Sequence, residues 1–356
     1  MKILIVGHRG YVGPVLAEHL ASNLPGAEIH GRDVGWFEGA EAAPFPEDAF
    51  ASQHVWDARD VTPADLAGLD AVVQLAAVSN DPIGREFEAA TAAINTGAAL
   101  AVARAAKAAG VGRFVFASSC SMYGAGGQGL RAESDPLDPL TAYARSKVAT
   151  EEGLRELAGD GFQVTSLRFA TACGASPMLR LDLVLNDFVA TALRTGRIEV
   201  LSDGSPWRPL IHVGDMARAV EWALIRDGAP RVEVNVGSQG WTWQIGQLAQ
   251  DVAAVLGGVD VEINRDAAPD TRSYRVDFSL FRQLAPDHQP AADFADAVRG
   301  LADQIAAMDF AGAVRESRFI RLNMLRGHVA EGRLDGDLRW SRQPVHASRQ
   351  DIGHED

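Results

Sequence analysis

Cysteine is scarce: Cys120 and Cys173 are the only two in 356 residues. Two thiols cannot form the disulfide framework of a small secreted domain, and they fit a reducing compartment. Long apolar runs are missing as well, since none approaches the ~20 residues a membrane-spanning helix needs. Basic residues are in deficit, 33 Lys and Arg against 47 Asp and Glu, for a formal charge of −14. That sign disfavours nucleic acid or an anionic membrane as a main partner, because both reward clustered cations. The nine His and two Cys show no ligand spacing, so no metal is expected. Met1 leads straight into a strand pattern, without the basic and apolar regions of a signal peptide, and a cytoplasmic protein is expected.

What is present is enough apolar sequence, 47%, to bury a large core. The first half alternates short apolar runs with helical patterns. Strands are expected at 2–6, 28–30, 71–77, 114–118 and 163–168, and helices at 11–24, 89–109 and 143–157. Alternation of this kind implies right-handed crossovers and an α/β fold, a doubly wound parallel sheet covered on both faces. Covered faces explain why the strands read as continuous apolar runs. After about Thr171 the rhythm changes. Helices are expected at 183–195, 243–256 and 294–309, a short strand at 198–201, and a return to the main sheet at 232–236.

The first strand runs into Gly7-His8-Arg9-Gly10-Tyr11-Val12-Gly13 and then a helix. In such a loop the first glycine makes the turn, the second lets backbone approach a pyrophosphate, and the third lets helix and strand pack closely. The helix N-terminus offers free N–H groups to phosphate. Asp33 follows the second strand, where a carboxylate accepts ribose hydroxyls and repels a 2′-phosphate. NAD is therefore expected ahead of NADP, although the neighbouring Arg32 has the chemistry to pair with that phosphate. Asp57, with Ala58, stands where it would either reach the adenine amine or cap a turn.

Tyr143 and Lys147 lie four apart on a helical pattern, hence on one face. An ammonium beside a phenol favours phenolate, which fits Tyr143 to take a proton from a sugar hydroxyl. Phe114–Ser118 delivers Ser119, Cys120 and Ser121 to the carboxyl edge of the sheet, where one hydroxyl would bond the reacting oxygen.

Taken together, the glycine loop, Leu75-Ala76-Ala77, Asn95, Ser118-Ser119, Tyr123-Gly124, Tyr143/Lys147 and Arg208–Asp215 resemble the extended short-chain dehydrogenases, the NAD-dependent epimerase/dehydratase family acting on nucleotide sugars. The resemblance covers roughly residues 1–305. It implies a Rossmann NAD domain at 1–170, completed by about 206–238, and a smaller substrate domain from 171–205 and 239–315. A C-terminal extension at 316–341 would pack on the body, ahead of a disordered tail at 342–356. Ser119, Tyr143 and Lys147 take the catalytic places. Gly7, Gly10, Tyr11, Val12, Gly13, Asp33, Asp57, Ala58, Leu75, Ala76, Ala77, Asn95, Ser118, Tyr143 and Lys147 take those for NAD. Ser119, Ser121, Asn186, Arg208 and Arg272 take those for the nucleotide diphosphate sugar, with Arg180 a possible addition. A homodimer through helices 89–109 and 143–157 is also implied.

Dehydratases of this family carry an Asp-Glu pair after the catalytic hydroxyl residue, whereas this chain has Cys120 and Ser121. That departure favours an epimerase that oxidises a sugar hydroxyl transiently and returns the hydride. A dehydratase, reductase or net dehydrogenase on the same substrates is the alternative, and the loop Gly7-His8-Arg9-Gly10 also resembles that of GDP-fucose synthase. A non-catalytic NAD-binding protein is disfavoured by the intact Ser119, Tyr143 and Lys147.

Overall fold

The computed structural model describes residues 1–342 apart from 126, 128, 268, 269, 271 and 309–311. All but the first residue of the tail expected from 342 lies outside the described residues. Seven parallel strands form one sheet, in the order Arg231–Val236, Gln163–Phe169, Arg113–Ser119, Ala71–Gln74, Lys2–Val6, Glu28–Asp33, Ser52–Val55. The chain starts in the middle, moves outward to Ser52–Val55, then crosses back to Ala71–Gln74 on the other side of the first strand. This reversal opens a crevice at the carboxyl ends of Lys2–Val6 and Ala71–Gln74, the usual ligand position in such sheets.

Alternation within each strand sends side chains into two cores. Ile3, Ile5, Val73 and Val115 face one way, against Leu16, Ala17 and Leu20 of helix Gly13–Asn23 and Val220 of helix Val213–Ile225. Leu4, Val6, Val72, Phe114 and Phe116 face the other way, against Val102, Ala103, Ala106 and Leu154. A third core gathers Leu185, Val189, Ile198, Leu248, Val252 and Leu301 from the segments after Thr171.

The outcomes differ from the sequence reading at identifiable places. The first helix begins at Gly13 rather than Tyr11, because Tyr11 turns away to donate its hydroxyl to Gly174 O at 2.6 Å. The alanine-rich helix is Glu88–Ala92, a wider π turn at Ala93–Ala98, then Ala99–Ala108. A carbonyl in that wide turn, Asn95 O, accepts the Thr150 hydroxyl at 3.0 Å. Helix Ile245–Leu256 starts two residues late because Thr242–Gln244 pairs antiparallel with Trp207–Pro209. Residues after Ser317 fold back over the sheet edge as helix Arg321–Ala330 and a turn. Their Leu325, Leu334 and Leu338 bury against Trp36, Val78 and Ile83.

Candidate active site

The crevice opens into a cavity of about 930 Å³. At one end the glycine loop is as compact as its spacing requires. Gly7 has φ +89°, and a Cβ there would lie 2.6 Å from Ala76 N. A Cβ on Gly13 would lie 2.1 Å from His8 O, so only glycine lets the helix start so close to the loop. Gly7, Gly10, Tyr11 and Val12 line the cavity, as do Leu75, Ala76 and Ala77 opposite them. Helix Gly13–Asn23 begins directly after this loop, its first-turn N–H groups lacking intrahelical partners.

Asp33 also lines the cavity, its carboxylate held by Arg9 N at 3.0 Å and Gly35 N at 2.8 Å. Arg32 lines the cavity beside it, bonded to Asp65 at 2.9 Å and lying over the Trp56 ring. The Asp33 carboxylate at the end of the second strand accepts ribose hydroxyls, and the cradle fits NAD. Asp57 resolves toward capping. It accepts from Arg59 N at 3.0 Å and pairs with the Arg59 guanidinium, while with Ala58 it still borders the cavity.

Tyr143, Lys147 and Ser119 meet midway along the cleft. Thr141 caps helix Ala142–Leu157 by accepting from Ala144 N, which sets Tyr143 in the first turn. Lys147 follows on the same face, 3% exposed, its Nζ donating to Ala117 O at 2.6 Å and lying 5.5 Å from the Tyr143 ring centre. One turn deeper, Glu151 makes a fully buried ion pair with Arg168 at 2.8 Å and accepts from Ser118 Oγ at 2.6 Å. Ser118 therefore borders the cavity with its hydroxyl spent behind the wall.

Burial acts on both members of the pair. It pulls Lys147 down to about 7, against the opposing pull of Glu151. It pushes Tyr143 up, against a hydrogen bond with Ser119 and the nearby Arg180 guanidinium. The expected lowering of Tyr143 by the Lys147 ammonium is not met in the protein by itself, where burial dominates and the opposing cation is Arg180. A bound NAD would bring a positively charged nicotinamide, a charge that favours the phenolate.

Beyond Tyr143, Ser121, Arg208 and Arg272 line the far end. Arg208 and Arg272 both pair with Asp270, at 3.1 and 2.6 Å, and Arg272 also bonds Asp81. Arg180 enters the same wall, held by Asp182 at 2.9 Å and Ser79 Oγ at 2.8 Å. Burial works against its charge, but Asp182 outweighs it and raises Arg180 above its ordinary value.

Three expected contact residues lie behind the wall rather than on it. Asn95 is 1% exposed and bonds the Val78 backbone and Ser146. Asn186 is fully buried and ties Gly174 N to Arg180 O, so it braces the loop that carries Arg180. Gly13 packs against His8. Position 120 does not face the cavity either, since Cys120 is fully buried with its thiol to Arg168 O. Sequence reasoning missed Glu151, Asp182 and Arg321. Only Glu151 left a trace there, as a carboxylate four residues past Lys147 on the same helix face.

A family model for the NAD dependent epimerase/dehydratase family matches residues 3–237. A UDP-glucose 4-epimerase of Streptomyces lividans is 30% identical over 72% of this chain and 81% of its own length. A dTDP-glucose 4,6-dehydratase of Streptomyces griseus is also 30% identical, over 68% of this chain and 72% of its own length. Among solved structures, DesIV, a dTDP-glucose 4,6-dehydratase from Streptomyces venezuelae with NAD and TYD bound, superposes with TM-score 0.71 at 23% identity. That superposition covers 86% of this chain and 96% of DesIV. With its seven-stranded Rossmann sheet and glycine loop, this chain belongs to the NAD-dependent epimerase/dehydratase family, enzymes of the extended short-chain dehydrogenase type.

Proposed function

We propose that this enzyme is a nucleotide-sugar epimerase. The observation that carries the reading is that Ser119, Tyr143 and Lys147 share a cavity wall with Ser121, a hydroxyl rather than a carboxylic acid, beside them. NAD, when bound, accepts hydride from the sugar carbon and returns it. Tyr143 receives the hydroxyl proton, with Ser119 bonding the same oxygen and sharing its charge. Lys147, fixed by Ala117 O, holds its amine 5.5 Å from the centre of the phenol ring. Arg208 and Arg272 offer planar forks to the nucleotide diphosphate, with Asp270 as the partner each has in the protein alone. Segments 171–205 and 239–315 form the sugar-nucleotide side, and 1–170 with about 206–238 the NAD side.

The 143–157 and 89–109 helices expose small residues, Ala149 on one and Ala89, Ala92, Ala93 and Gly97 on the other. That composition suits close packing between two copies, so a homodimer belongs to the same reading.

The test is incubation of the purified enzyme with nucleotide sugars in deuterium oxide, followed by mass spectrometry and NMR. Interconversion of two epimers without net NADH supports the proposal. Loss of one water from the sugar, or a stoichiometric keto product, would replace it with dehydration or net oxidation. Tyr143→Phe should lower kcat by a factor on the order of 10²–10⁴ with binding of the nucleotide sugar retained.

A further inference from the structure

We propose that Arg321, on the C-terminal extension, binds the diphosphate of the dinucleotide, and that the extension clamps the cofactor in its cleft. Arg321 opens helix Arg321–Ala330, is 2% exposed and lines the cavity. Its guanidinium lies over the Phe37 ring at 4.1 Å, and Nη2 donates to Met178 O at 2.9 Å. Nη1 is buried and has no hydrogen-bond partner among the described residues. A buried guanidinium with idle N–H groups is costly, because the group has lost water and gained nothing in return.

The surroundings say what would satisfy it. Met178 N bonds Ser176 Oγ, and Ser176 Oγ donates to Tyr11 O at 2.7 Å. Met178, whose carbonyl anchors Arg321, is thus two residues from Ser176, whose hydroxyl is bonded to the glycine loop. Arg321 and the glycine loop line the same cavity. The carboxylates that act on it have other partners: Asp182 has Arg180 and Asn80, Asp33 has Arg9 N and Gly35 N, and Glu41 accepts from Gly39 N. Burial and the neighbouring Arg180 pull Arg321 down to about 10, so it stays cationic at neutral pH. A charged fork with an unpartnered Nη1, on a residue that lines the same cavity as the glycine loop, has the chemistry to take phosphate oxygens.

The rest of the extension closes the same end. His328 Nε2 contacts Trp36 O at 2.7 Å, and Trp340 Nε1 donates to Val34 O at 2.6 Å. Arg59 reaches across to Asp337 O at 2.6 Å and Leu338 O at 3.1 Å. The segment just after Asp33 is therefore roofed by residues that lie well beyond the matched 3–237. A cofactor under this roof leaves only when the extension lifts.

The proposal rests on NAD binding and not on which sugar reaction follows, and its test reads binding alone. Equilibrium binding of adenosine, ADP, ADP-ribose and NAD to the full-length, nucleotide-free protein would be compared for wild type, Arg321→Met and Arg321→Lys. Arg321→Met should weaken ADP, ADP-ribose and NAD by about tenfold to a hundredfold while leaving adenosine unchanged, with Arg321→Lys between. Release of NAD, followed by stopped-flow fluorescence, should quicken in step. Should Arg321→Met not fold, Phe37→Leu removes the ring that seats the guanidinium and should show the same selectivity for diphosphates. Equal weakening of all four ligands, or none, would overturn the proposal.

Discussion

Replacing Glu151 by Gln tests whether the ion pair behind Lys147 holds the site together. Glu151 and Arg168 are 1% and 2% exposed at their side chains, so neither charge has water to fall back on. Oε1 accepts from Ser118 Oγ at 2.6 Å and Arg168 Nε at 3.1 Å, and Oε2 from Arg168 Nη2 at 2.8 Å. Glutamine keeps one of those oxygens and turns the other into an NH₂ group that faces a donor. The substitution removes the counter-charge and sets two donors against each other, leaving the buried Arg168 cation with neutral acceptors such as Tyr123 Oη and Glu133 O. Breaking a buried pair from one side costs about 3–5 kcal/mol, and this geometry has no slack to lower that figure. Urea unfolding of the full-length protein, with and without NAD, measures the loss. Because Glu151 raises Lys147, its removal should also carry the Lys147 titration further below about 7 and move the acid limb of the pH–rate profile the same way. A loss under about 1 kcal/mol together with an unmoved pH profile would refute the reasoning. It would mean that water or another group already satisfies Arg168.

Gly13→Ala should abolish tight NAD binding by calorimetry, since its Cβ would meet His8 O at 2.1 Å and force the loop apart. Unchanged NAD affinity in the folded variant would contradict the packing account. Lys147 has a folded value of about 7, far below the ordinary lysine value. Burying the ammonium therefore costs stability below that pH. The cost is relieved as pH rises from about 7 toward about 10, where the unfolded chain binds the extra proton. Wild type should gain resistance to urea over that interval, and Lys147→Met should gain less; equal gains would show that other groups set the trend.

Much of the site was legible because its parts are local. Glycine spacing, a Tyr and a Lys four apart, and Asp33 after the second strand each lie within one turn or one strand end. The assignments of Asn95 and Asn186 were less secure, because whether an amide faces a cavity or braces its wall depends on residues far along the chain. Arg321 left no sequence signal at all. A lone arginine past the matched family region reads as a solvated charge until the fold brings Phe37 and Met178 around it.

Periodic apolar runs and the loops between them determined by themselves the doubly wound sheet and the end at which ligands bind, since chain twist allows essentially one handedness of crossover. The same short-range order put Tyr143 over Lys147. Tertiary structure alone decided the electrostatics: burial, not the neighbouring ammonium, sets the direction of Tyr143, and Glu151 and Arg168 sit beneath the pair. It also decided that the C-terminal extension covers the cofactor cleft with an arginine lacking a full set of partners. These depend on how much water the folded chain excludes, and no stretch of sequence encodes that locally.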